Sequence, residues 1–395
     1  MKNLCRLLLI FVIFLTGCWD AQELNEISLV TGIAIDKGKE YKYELTVEVL
    51  NPPALEAEVA GSQTASIVFS LEGDSIAELA KKMNVGYTRK LKFSHMRVVV
   101  ISKELAKEGL LEFIDFFEGD REIRSDFNFL VADNVRASDV LKITYPIQRV
   151  SSLKLHVQLD TMVDEWGGDP DIRLKDFLRA LVSPGREPVL SIIKVKGSVT
   201  KGNTLENMEK IDLDAIAETE GLAIFKGLEY QGNLPINHTR NYLLLQDKLK
   251  NTSITAACGE NKVMTSRIYN SNTEVKAYYK NQIPHINIDI DLEGRIDLIQ
   301  CPKDVKKIKT YLELEEKFGK SFKADIEKTI EILQEEYQLD IFGFGEHMER
   351  QAYDDFKKVE DHWDKEFARA EITVNVYLKL RRSGLITNPV FEDIK

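Results

Sequence analysis

Residues His285–Leu298 read HINIDIDLEGRIDL, and their alternation decides the fold. Ile286, Ile288, Ile290, Leu292, Ile296 and Leu298 take the even positions, while His285, Asn287, Asp289, Asp291 and Asp297 take odd ones. Successive side chains of a strand point to opposite faces, so the run predicts one dry face and one wet face. Glu371–Leu380 repeats the device, with Ile372, Val374, Val376, Leu378 and Leu380 on the apolar side. One-sided alternation is the habit of antiparallel sheets rather than of doubly covered parallel ones. The cover for the dry face is predicted just before Asp340. There Phe322, Ile326, Ile330, Leu333 and Tyr337 step by three or four residues, as a helix stripe does. A helix laid across such a sheet is an α+β domain.

Working outward, residues 215–388 read as this C-terminal α+β domain. Ala215–Lys226 and a turn at Gln231-Gly232-Asn233 open it, and a helix near Thr239–Lys250 follows. Thr200–Asp214 is polar and aperiodic and reads as a linker. Before it, residues 27–199 form an N-terminal α+β region. Ile27–Asp36 and Tyr41–Leu50 pair as a hairpin, with a third strand at Ser66–Leu71. A helix capped by Asp74 follows. Leu91–Ile101 reads as one strand whose apolar end, Val98–Ile101, is central, and Ser102–Glu118 as one helix. Phe127–Ala132 adds a strand, Ser138–Ile143 and Gln148–Val163 add helices, and Pro188–Val199 returns to strand after a helix around Leu174–Leu181. The turn-rich break Glu165–Asp171, within 145–171, divides this region into two candidate subdomains. The class predicted for the whole chain is α+β and multi-domain, with mixed or antiparallel sheets and helices packed on one face.

The amino end is of another kind. Met1–Asp20 reads MKNLCRLLLIFVIFLTGCWD. Two bases, a short apolar core and small residues before a cut mark a secretory signal over residues 1–17. The core is about half the ~20 residues a spanning helix needs. Leu15-Thr16-Gly17-Cys18 fits the bacterial lipoprotein box, in which the cysteine carries a diacylglycerol on sulfur and an acyl chain on its nitrogen. Cys18 is therefore the expected lipidation site and residues 18–26 the tether. No other cofactor is expected.

The full chain has 395 residues and a net charge of −11. An acidic surface argues against nucleic acid, which rewards concentrated positive charge. It also predicts repulsion from anionic headgroups, and the tether holds no run of bases to offset that. Besides Cys5 and Cys18 there are two cysteines, Cys258 and Cys301. They are either a disulfide of an extracytoplasmic protein or two buried thiols, and spacing does not decide between them. The six histidines are scattered, with no pair at zinc-binding spacing, so no metal is expected. No nucleophile elbow or phosphate loop appears, and the chain reads as non-enzymatic. Asp340-Ile341-Phe342-Gly343-Phe344-Gly345 stands out. It reads either as a tight helix end with both phenylalanines buried or as a partner-facing loop.

Several stretches together resemble one family. Leu15–Asp20 with Glu23-Leu24 and Val30–Asp36, then Phe93-Ser94-His95, then Ser183-Pro184-Gly185-Arg186-Glu187-Pro188 follow the order of the Ger(x)C spore-germination lipoproteins. So do Leu339–Gly345, His362-Trp363-Asp364, and Leu380-Arg381-Arg382-Ser383-Gly384-Leu385-Ile386. The resemblance implies the non-catalytic lipoprotein subunit of a nutrient germinant receptor. Such a subunit is anchored to the extracytoplasmic face of the spore inner membrane. Its partners would be a transporter-like subunit and a second integral membrane subunit. Asp340, Phe342, Gly343, Phe344, Gly345, Trp363, Arg381 and Gly384 become candidate contact or structural residues. The rival reading is a solute-binding lipoprotein of a transporter, which calls for parallel βαβ lobes around a cleft.

Overall fold

The computed structural model describes residues 23, 25–55, 63–302 and 307–381. The leader 1–17, Cys18, most of the tether and Gly384 lie outside the described residues. Thirteen strands among the described residues form two mixed sheets. The first runs β3-β2-β1-β5-β6-β7-β8-β9, with β4 attached to β1. Its strands are β1 (Ile27–Lys37), β2 (Tyr43–Leu50), β3 (Ser66–Gly73), β4 (Lys90–Lys92) and β5 (Val98–Ser102). They continue as β6 (Asn128–Ala132), β7 (Val189–Gly197), β8 (Ala215–Lys226) and β9 (Glu229–Pro235). The second sheet is β10 (Thr252–Gly259), β11 (Lys262–Lys280), β12 (Ile283–Ile299) and β13 (Glu371–Leu380), in that order.

The first sheet has a parallel centre, β1-β5-β6-β7, with antiparallel flanks. The continuous apolar run of β5 is buried throughout because strands lie on both sides and helices on both faces. Leu105, Phe113, Phe117 and Phe177 pack on the face that carries Val99, Ile101 and Phe129. Val140, Leu141, Leu155 and Leu159 cover the opposite face, over Val98, Val100 and Leu130. Two buried carboxylates fix the latter helices. Asp36 accepts from the N–H groups of Ala137 (2.7 Å) and Ser138 (2.8 Å). Glu48 accepts from those of Ser151 and Ser152, both at 2.9 Å. Free N–H groups at a helix start favour an anionic acceptor, although burial holds the Glu48 carboxyl above its usual range.

The second sheet follows the alternation that predicts it. Ile286, Ile288, Ile290 and Leu292 are buried under the helix Ile308–Ile332, whose Phe318, Phe322, Ile326 and Ile330 face them. Each such side chain contributes about 1.5–3 kcal/mol on leaving water. Leu298 departs from the pattern and is 43% exposed, because a register shift near Asp297 reverses the phase.

Several local expectations are corrected. β13 lies parallel to β12, since the helical segment 308–368 carries the chain back to the same end. Leu91–Ile101 is broken by a 3-10 turn at Phe93–His95, and Ser102–Glu118 is two helices parted at Gly109, where φ is +112°. Ser75, not Asp74, caps the helix Ile76–Lys82. The β8–β9 hairpin turns at Gly227 (φ +56°), four residues before the predicted turn. Thr200–Asp214 does not separate the sheets: β7 and β8 pair from Val189↔Ile224 to Gly197↔Ala215 across it, and it holds two short helices. The sheets part later, between β9 and β10.

Candidate functional site

The segment Ser183–Pro188 before β7, the turn Asp340–Gly345 and the residues His362–Asp364 meet in one buried joint between the two sheets. The long helix ends in a wide turn at Leu333–Tyr337, after which Gln338 takes φ 57° and reverses the chain. Asp340 then organises the turn up to Gly345. Its Oδ1 accepts from the N–H groups of Phe342 (3.0 Å) and Gly343 (2.9 Å), the local bond pattern that aspartate makes in turns. Its Oδ2 accepts from the N–H of Gly345 (2.9 Å) and the indole Nε1–H of Trp363 (3.0 Å). Gly343 holds φ +82°, a region costly to residues with a Cβ. Burial pushes the Asp340 carboxyl up to about 6, opposed by the Trp363 indole and the three backbone N–H donors.

The joint proper is backbone against backbone. A Cβ placed on Gly345 would stand 2.5 Å from both Cα and O of Gly185, and one on Gly185 would stand 2.7 Å from Gly345 Cα. The Glu187 N–H donates to the Asp340 carbonyl (2.8 Å). Arg186 reaches Tyr242 Oη at 3.2 Å and Glu346 at 3.6 Å, and the Gln246 side-chain amide donates to the Phe342 carbonyl. Glu187 accepts from the Gly227 N–H (2.7 Å), and Lys226 pairs with Asp364 (2.6 Å). Burial raises the Glu187 carboxyl above its usual range.

The partner-facing reading of the Asp340–Gly345 turn is thus overturned. Phe342 is 2% exposed and Phe344 is fully buried, their ring centroids 5.3 Å apart. Asp340, Phe342, Gly343, Phe344, Gly345 and Trp363 come together, while Arg381 does not join them. Its N–H extends the pairing of β13 to Gly294 O (2.8 Å), and its guanidinium meets Glu293 at 2.5 Å at an exposed strand end. Cys258 and Cys301 are joined by a disulfide, with Cα atoms 6.1 Å apart. Gly185, Arg186, Glu187, Tyr242 and Gln246 are joint residues that sequence reasoning does not single out as a site. The Ser-Pro-Gly-Arg-Glu-Pro stretch is the signal for Gly185, Arg186 and Glu187; Tyr242 and Gln246 have none. Among the described residues no group of three or more His, Cys, Asp or Glu side chains is placed to hold a metal.

The fold and the joint define a class first: an α+β protein of two mixed sheets locked together by motif residues from distant parts of the chain. The crystal structure of the GerBC protein is similar in fold, with a TM-score of 0.53 and 20% identity, covering 91% of this chain and 99% of that one. A profile described as "Spore germination protein N-terminal domain" matches residues 20–195, and one described as "Spore germination B3/GerAC like, C-terminal" matches residues 220–384. Spore germination protein KC of Bacillus subtilis (strain 168) is 30% identical over 400 residues, covering 99% of this chain and 98% of that protein. Spore germination protein B3 of the same organism is 24% identical, covering 98% of this chain and 100% of its own length. The chain belongs to the Ger(x)C family, the C subunits of spore germinant receptors. The two profiles part between residues 195 and 220, whereas the first sheet runs through that interval.

Proposed function

We propose that this chain is the non-catalytic, lipid-anchored C subunit of a nutrient germinant receptor. Cys18 holds it to the extracytoplasmic face of the spore inner membrane. It acts there by contact with two integral membrane subunits, one transporter-like. The observation that carries this reading is the full-length match to germination proteins, joined to the Leu15-Thr16-Gly17-Cys18 box at the head of the chain. Asp340 and Trp363 are spent as buried structural ligands of backbone and of each other, in keeping with a structural role for this motif. Two or more acyl chains are needed for a stable tether, which fits a triacylated cysteine.

The test is Cys18→Ala in sporulating cells. The expected result is loss of the subunit from the spore membrane fraction together with loss of the nutrient response. A soluble variant that still supports a normal response overturns the reading.

A further inference from the structure

The parallel strands of the first sheet all start on one rim, and the chain enters the fold there. β1 begins at Ile27, level with Lys90 of β4, whose N–H donates to the Glu26 carbonyl at 3.0 Å. Further along, the Arg97 N–H donates to Thr31 O and the Asn128 N–H to Arg97 O, both at 2.8 Å. The Lys175 N–H then donates to Ser125 O at 3.1 Å. Segments 89–97, 120–128 and 173–175 are thereby laid side by side beside the tether.

This rim is basic. Arg89, Lys90, Arg121, Arg124 and Lys175 make no ion pair among the described residues, and all but Arg89 are exposed. Three acids set among them are engaged: Glu122 by Lys92 at 2.9 Å, Asp120 by Lys81 at 3.2 Å, and Asp126 by Arg97 at 4.0 Å. Glu23, Glu26, Glu118 and Asp176 make no ion pair among the described residues and oppose the free bases. On a chain of net charge −11, five unengaged bases gathered on one rim set that rim apart from the whole.

We propose that this rim docks on the anionic phospholipid headgroups of the bilayer and so orients the body on the membrane. The geometry rests on the lipid-anchor reading, because Trp19–Glu26 spans at most roughly 28 Å and keeps the rim the nearest part of the fold to Cys18. The charge is the chain's own. A base within a Debye length of an anionic surface favours the bound state by about fivefold. The acidic remainder of the surface is repelled, so the two effects act together to select one orientation. No local run of bases announces this patch, because three segments separated by dozens of residues supply it.

The test uses the unacylated mature chain, Cys18→Ser, in flotation with vesicles. One set is pure phosphatidylcholine, and the other contains about one part in three of phosphatidylglycerol. Binding is expected to the anionic vesicles only, and to be lost at about 0.5 M salt, where screening shortens the reach of charge. Reversing Arg121→Glu, Arg124→Glu and Lys175→Glu together is expected to weaken binding at least tenfold with unfolding unchanged. Reversing Lys262→Glu, Lys280→Glu and Lys379→Glu on the second sheet is expected to leave it intact. Absence of binding to anionic vesicles, or equal loss with the two triple variants, overturns the proposal. No acyl chain is present in this experiment, so its outcome is independent of whether Cys18 is the anchor; that question is decided by the Cys18→Ala test alone.

Discussion

Asp340→Asn is the sharpest probe of the joint, because it changes one atom and leaves shape nearly untouched. The carboxylate faces four N–H donors, two on each oxygen, at 2.9–3.0 Å. An amide replaces one oxygen with an NH₂ group, and whichever way it is turned that group points at two buried donors. Two hydrogen bonds to a charged group are lost, at about 1.5–3 kcal/mol each, and both donors are stranded. The charge's own burial, which raises the carboxyl to about 6, offsets part of this at pH 7.5, so the expected cost is about 1–3 kcal/mol, read by urea unfolding and tryptophan fluorescence. Trp363→Phe removes one of the two donors at the Oδ2 position, so that an amide placing its NH₂ there strands only the Gly345 N–H. In the amide background it relieves part of the conflict, so the double variant is expected to be more stable than the sum of the singles by about 1–2 kcal/mol. A single-variant cost below about 1 kcal/mol, or strict additivity, refutes the account of Asp340 as the organising acceptor.

Asp169 gives the pH dependence. Burial pushes its carboxyl up to about 7, against bonds from the Asp171 N–H and the Ser191 hydroxyl (both 2.8 Å), and its Oδ2 has no partner among the described residues. The folded state then keeps a proton the unfolded chain has released, so this stability is full below the unfolded value near 4 and is lost as pH rises toward 7, about 4 kcal/mol at the limit. His238 and His347, lowered by burial, act in the opposite sense. The measurement is therefore the difference between wild type and Asp169→Asn from pH 5 to 7.5, which should shrink as pH rises; a difference that grows contradicts the burial argument. For the disulfide, Cys258 and Cys301 close a loop of 43 residues, worth about 4 kcal/mol in the chain-entropy picture. Thiol counting on the denatured, unreduced mature protein should find neither, and Cys258→Ser with Cys301→Ser should lower the urea midpoint.

What the sequence makes legible is periodicity. The strands β12 and β13 and the long helix are set by side chains alternating between water and core, whereas β1 and β2, buried almost throughout, are read from their β-branched and aromatic residues. The larger misses share a cause: each depends on a partner elsewhere in the chain. Gly109 splits a helix because Leu110 donates its N–H to Leu228 O at 3.1 Å, far away in sequence. β13 is parallel to β12 because of where the helical segment returns it, which alternation does not encode. The turn Asp340–Gly345 is readable as a turn from its aspartate and glycines, but its burial follows from Gly185 pressing on Gly345. Glu48 is the extreme case: a glutamate in a strand reads as a wet position, yet it is fully buried under a helix start.

The joint also bears on how the two sheets can move. Contacts between domains ordinarily permit relative motion unless they are large and apolar. Here one core runs unbroken from Phe177 and Phe225 of the first half to Phe344, Trp363 and Phe367 of the second. Apolar packing alone is non-directional and tolerates sliding. The bonds that cross the joint are directional: the Glu187 N–H to the Asp340 carbonyl, the Gln246 amide to the Phe342 carbonyl, and the ion pairs Arg186–Glu346 and Lys226–Asp364. The Gly185–Gly345 contact leaves no room for a side chain between the backbones. Any rotation of one sheet on the other must strand several buried donors at once, at about 1–3 kcal/mol each. A displacement of the first sheet therefore passes to the second through a locked joint rather than being absorbed at a hinge. On the proposed reading of a subunit that works by contact, that stiffness is an advantage, and the motif residues that supply it lie inside the molecule rather than on its surface.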